Sequence, residues 1–92
     1  MVLSVDTTII KAKDVMFNAL DGKGVLMNLK KGNFYNLNET GVTIWELSSK
    51  EIKVSEIIDK IVAEYAVDRE QITADVCQFI NDMKENELIV VK

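Results

Sequence analysis

Apolar residues fall into short runs in the first part of the chain and into helical stripes in the rest, with the change of period near residue 38. The runs at 15–20 and 25–29 are separated by Asp21-Gly22-Lys23-Gly24, where the Asp-Gly pair and the second glycine can supply the positive φ angles of a hairpin loop. Lys30-Lys31-Gly32-Asn33 reads as a second tight turn. After it, residues 34–37, Phe-Tyr-Asn-Leu, carry the aromatic and apolar side chains that suit a pleated, half-buried strand. Strands joined in succession by tight turns make an antiparallel meander, and sequential order leaves the third strand at an edge. Ahead of the hairpin, residues 1–14 mix Thr7, Thr8, Ile9 and Ile10 with Lys11 and Lys13. That stretch reads either as a lead-in strand or as a flexible arm.

From residue 38 the signals are those of helices. Asn38 is a good N-cap because its side-chain oxygen accepts from an amide left unpaired in the first turn, and Glu39 sits favourably at the positive end of the helix dipole. Leu37 and Val42 occupy the positions of a hydrophobic staple. Ile44, Trp45 and Leu47 follow at roughly helical spacing, and Trp45, the only tryptophan, is expected to anchor this helix on the core. Residues 48–53 are polar around Ile52 and read as a loop. Ser55 is the expected cap of a second helix, with Glu56 and Asp59 in its first turn and a buried stripe of Ile57, Ile58, Ile61, Val62 and Tyr65. Asp68 and Gln71 form a capping box for a third helix, with Val67 and Ile72 as its staple. Only Ala66 and Val67 stand between the helices, so they turn sharply against each other. Ile72, Val76, Phe79, Ile80 and Met83 share one face, Asn86 tolerates the left-handed conformation that ends a helix, and residues 88–91, Leu-Ile-Val-Val, read as a short C-terminal strand. The fold class is α+β: a three-stranded antiparallel N-terminal meander, three helices and a short strand, the order of a winged helix-turn-helix with a meander in front.

Ninety-two residues, 48% of them hydrophobic and 28% charged, make one domain spanning 1–92 that folds alone. A single cysteine, Cys77, allows no intrachain disulfide and makes a reducing cytoplasm the simplest compartment. No apolar run approaches the ~20 residues that cross a bilayer, and no basic stretch precedes a hydrophobic one at the N-terminus. Neither membrane nor export by that route is expected. The net charge of −4 has the wrong sign for a partner bound through phosphates. Nucleic acid is disfavoured further by the third helix, where Asp68, Glu70, Asp75, Asp82 and Glu85 face only Arg69 and Lys84. Histidine is absent, which removes the commonest general base and metal ligand, and a lone thiol is a poor nucleophile without a basic partner. No catalysis, metal or cofactor is expected, and Cys77, beside Val76 and near Ile80, reads as a packing residue or groove wall.

What remains is binding. An edge strand exposes unpaired N–H and C=O groups that proteins usually blunt with charge or proline, and residues 34–37 have neither. Such an edge accepts an extended peptide by strand addition, or serves only sheet packing, or pairs with itself in a homodimer; the residues alone leave these three open.

A hairpin, a turn glycine, an aromatic strand, then Leu37-Asn38-Glu39-Thr40-Gly41 and Ile44-Trp45: in this order and spacing the chain resembles the PqqD family, the small peptide-binding domains also called RiPP recognition elements. Val25-Leu26-Met27-Asn28-Leu29 looks like the family's second strand, and Val54-Ser55-Glu56-Ile57-Ile58 like the start of its second helix. Two positions depart from the family. Residues 49–52 lack the glycine often found before the second helix, and Glu87 stands where a glycine often follows the third.

The resemblance implies a non-catalytic chaperone that holds the leader segment of a ribosomally made precursor as a strand between the third strand and third helix. The chaperone presents this peptide to a modifying enzyme, often a radical SAM maturase, to which any metal or cofactor belongs. The expected peptide-binding residues are then Phe34, Tyr35, Asn36 and Leu37 on the strand, with Val76 and the flank Thr73, Cys77, Ile80 and Lys84 on the helix. That flank is an apolar wall ending in a cation, which suits a leader with hydrophobic and acidic residues; the opposite flank carries Asp75, Asp82 and Asn86.

Overall fold

A computed structural model describes residues 4–92, so the beginning of the N-terminal arm, residues 1–3, lies outside the described residues. The elements are β1 (Thr8–Lys11), β2 (Val15–Leu20), β3 (Lys23–Asn28), β4 (Phe34–Leu37), α1 (Glu39–Leu47), β5 (Ile52–Lys53), α2 (Val54–Tyr65), α3 (Arg69–Glu85) and β6 (Ile89–Val91). The expected α+β order is present: an antiparallel β2-β3-β4 meander, three helices and a C-terminal strand. A second sheet, β5-β1-β6, lies beyond that expectation. Residues 8–11 form a strand, and Ile52, expected in a loop, pairs with Ile9.

The β2–β3 turn consists of Asp21 and Gly22, with φ of 53° and 78°, as a two-residue primed turn requires. Gly24 has another task. It is buried in β3, and a Cβ there would come within 2.7 Å of Phe17 and 3.1 Å of Val42, so its missing side chain lets α1 approach the sheet. Asn38 caps α1 as expected, accepting from the Gly41 N–H at 2.8 Å. Trp45 is only 3% exposed and joins Leu26, Ile57, Ile61, Val76 and Ile80 in one core.

Three helix ends differ from the sequence reading. The second helix starts at Val54, and no side chain caps it. Its first amides, those of Val54 and Ser55, instead donate to the carbonyls of Thr7 and Val5 at 2.9 and 2.8 Å; the backbone leading into β1 satisfies the orphan donors, and Ser55 is not needed as a cap. At the start of α3, Asp68 accepts from the Gln71 N–H at 3.4 Å, but the Gln71 side chain donates forward to Asp75, so only half of the capping box forms. At its end, Glu87 rather than Asn86 takes the left-handed conformation, with φ of 57°. The Leu88 N–H then reaches the Met83 carbonyl at 2.8 Å and the Glu87 N–H that of Lys84 at 3.0 Å. This is the Schellman arrangement, with Glu87 standing in for the usual glycine.

Asn28 ties this helix end to the meander. Only 3% exposed, it uses its whole amide: Nδ2 donates to the carbonyls of Asn86 and Glu87 at 3.1 and 3.3 Å, and Oδ1 accepts from the N–H groups of Lys30 and Lys31 at 3.0 and 3.1 Å. The turn that launches β4 and the end of α3 are therefore held by one side chain. Asn28→Leu strands these backbone groups and is expected to cost about 2–3 kcal/mol, measured by chemical denaturation.

Candidate functional site

β4 bonds to a neighbour on one side only. Just before it, the Asn28 N–H donates to the Asn33 carbonyl at 3.0 Å. Antiparallel ladders alternate between bonded and non-bonded pairs, so the next bonded pairs are Leu26 with Tyr35 and Gly24 with Leu37. The N–H and C=O of Phe34 and Asn36 therefore point away from β3, toward the free edge. The Tyr35 and Leu37 side chains turn inward, while Phe34 is 64% exposed.

The neighbour across that edge is α3. Tyr35 and Phe79 meet edge to face, with centroids 6.0 Å apart and planes at 72°. Burial raises the Tyr35 pKa above its ordinary value, and the charge of Asp82 raises it further. Asn33 Nδ2 lies 3.5 Å from Asn86 Oδ1, while Asn33 Oδ1 is buried without a donor. Past the end of β4, a hollow of ≈ 250 Å³ opens between α1 and α3, lined by Asn38, Thr40, Gly41, Ile44, Ile72, Asp75, Val76 and Phe79. The candidate site is the free edge of β4 together with the nearby side of α3 that carries Asp75, Phe79, Asp82 and Asn86.

Three of the expected residues are corrected by burial. Ile80 and Val76 are 0% and 1% exposed, and Leu37 is 3% exposed; they support the groove from inside and offer no surface. Cys77, two residues from Phe79, projects about 160° away from it around the helix. Its thiol is half-buried and burial raises its pKa, as befits a packing cysteine. The Thr73 hydroxyl is turned to its own helix, donating to the Arg69 carbonyl at 2.7 Å. Lys84 lines a different hollow, with Lys11, Lys13, Lys30 and Lys92. Of the expected residues, Phe34, Tyr35 and Asn36 lie on the strand with the free edge. Phe79, Asp75, Asp82 and Asn33 join them in the candidate site; the sequence puts Phe79 at the helix centre and Asp75 and Asp82 on the opposite flank, and gives no signal for Asn33 beyond its turn.

The sequence matches the family model described as coenzyme PQQ synthesis protein D (PqqD) over residues 23–89, a span containing both banks of the groove. Among solved structures it is similar to TbiB1 in complex with the TbiA(beta) leader peptide, at 31% identity and a TM-score of 0.79, over 87% of this chain and 93% of that one. A lasso peptide synthetase B1 complexed with the leader peptide shares the fold, with 20% identity and a TM-score of 0.77 over 89% of this chain and 96% of the other. No curated protein sequence matches.

Proposed function

This chain belongs to the PqqD family, and from that premise we propose that it is a non-catalytic chaperone for the leader segment of a ribosomally made precursor peptide. The leader adds as a strand to β4, bonded by the outward N–H and C=O groups of Phe34 and Asn36, and lies against α3. It is thereby presented to a separate modifying enzyme in the cytoplasm, a radical SAM maturase being the candidate, which carries whatever metal or cofactor the chemistry uses. The observation that carries this reading is the free, uncharged edge of β4, with Tyr35 of that strand against Phe79 of α3. The 31% identical TbiB1, itself solved with a leader peptide, supports it.

The deciding experiment is a calorimetric titration with leader peptides, beginning with the TbiA(beta) leader that TbiB1 holds and continuing with the leader of any precursor found encoded near this chain. Saturable binding of one peptide per chain is expected, and no binding would overturn the reading. A winged-helix DNA-binding role is the other reading of this architecture, and the acidic α3 argues against it. Fluorescence anisotropy with duplex DNA at moderate salt is expected to stay flat; tight binding that weakens steeply with salt would favour a regulator instead.

A further inference from the structure

The α3 side of the candidate site is acidic, and among the described residues its acids form no ion pair. Asp75 lines the hollow at the end of β4, and Asp82, two turns further along the same side of the helix, has its charge felt at Tyr35. Each accepts from a neutral amide one turn earlier: Gln71 Nε2 donates to Asp75 Oδ1 at 3.0 Å, and Gln78 Nε2 to Asp82 Oδ1 at 2.9 Å. Among the described residues the ion pairs are elsewhere, joining Lys31 to Glu87, Arg69 to Asp59 and Lys92 to Glu51. β4 has no charged side chain, and the lysine nearest its start, Lys31, is the one held by Glu87.

We infer that the peptide taken by this groove is basic on the side facing α3, with a Lys or Arg over Asp75 or Asp82 next to an apolar side chain seated against Ile72 and Phe79. Main-chain bonding to β4 is indifferent to sequence, so selectivity comes from the side chains that meet the opposite bank. Asp75 and Asp82 lie on one side of α3, about 10.5 Å apart along its axis, a distance that an extended peptide covers in about three residues. The long stem of Lys or Arg covers the Phe79 ring while its charged head reaches a carboxylate at the rim. An acidic side chain there would meet like charge, which costs affinity and rejects wrong partners. This inference deepens the peptide-binding reading and rests on it, and it reverses the leader charge that Lys84 suggested in the sequence.

The test is selection from a displayed library of random peptides on the full chain, on the double variant Asp75→Lys/Asp82→Lys, and on Asn36→Pro, with a cooperative thermal melt required of each. Peptides selected by the unaltered chain are expected to be enriched in Lys or Arg beside an aliphatic or aromatic residue, and those selected by the double variant in Asp or Glu. A peptide chosen by the unaltered chain should bind Asp82→Asn about tenfold more weakly, the loss expected for one charge-assisted hydrogen bond. Selected peptides with no basic preference, unchanged by charge reversal, would overturn the inference and leave the peptide-binding reading standing. No selection at all, or identical selection by Asn36→Pro, would remove that reading and the inference with it.

Discussion

Asn36→Pro is expected to weaken leader binding at least tenfold while the protein stays folded, whereas Tyr35→Pro, one residue earlier, is expected to abolish folding. The two amides differ in what they bond to. Tyr35 forms a bonded pair with Leu26 inside the ladder, and Leu26 is 0% exposed; proline there removes a buried bond and distorts the strand that holds the core. The Asn36 N–H points out of the sheet, where proline is tolerated structurally, and its loss matters only to a ligand strand. Losing one such bond, together with the distortion of the edge, accounts for the roughly tenfold effect. Calorimetry of leader binding alongside a far-UV melt separates the two outcomes. Normal binding by a well-folded Asn36→Pro would show that the leader does not use the edge.

The second large effect concerns α3. Ile80→Glu is expected to give no cooperative melt, because it places an unpaired carboxylate at a position that is 0% exposed and removes a packed aliphatic side chain. Either change alone costs several kcal/mol, against a total stability of about 5–15 kcal/mol for a small domain. Cys77→Glu sits on the half-buried side turned away from β4, so it should cost some stability yet still melt cooperatively and bind the leader within about twofold of the unaltered chain. A folded Cys77→Glu that loses the leader would restore the flank first read from the sequence.

What was legible in the sequence is what local chemistry decides. The Asp21-Gly22 turn, the Asn38 cap, the position of Trp45 and most of the buried stripes of α2 and α3 depend on residues within a turn or two of one another; Tyr65, expected in the α2 stripe, is instead exposed at the end of that helix. The β5-β1-β6 sheet was not legible, because it joins residues 8–11 to 52–53 and to 89–91. Strands so short, whose partners lie so far along the chain, leave only a weak local pattern. Gly24 looked like a turn residue because it follows Asp-Gly closely, yet its role is set by Phe17 and Val42, which only folding brings near. Asn28 read as one polar position in a strand; its four bonds reach the end of a helix nearly sixty residues away.

The flank of α3 was ambiguous for a different reason. Helical periodicity identifies the buried centre of a face, but it treats the two sides of that centre alike. Their difference arises from the handedness with which the helix lies across the sheet. The apolar character of Ile80, which suggested a groove wall, reflects complete burial behind it.

The β5-β1-β6 sheet also sets the order in which a nascent chain can be completed. The β2-β3-β4 meander and α1 need only partners close in sequence, so they can form while synthesis continues. β1 has to wait, first for residues 52–53 and then for residues 89–91, and until they emerge Ile9 has no interior to occupy. The Asn86 and Glu87 carbonyls that Asn28 grips are made just before the last of these. A ribosome therefore releases one bank of the candidate site before the other, and the space between β4 and α3 takes shape only once residues 86–91 have emerged.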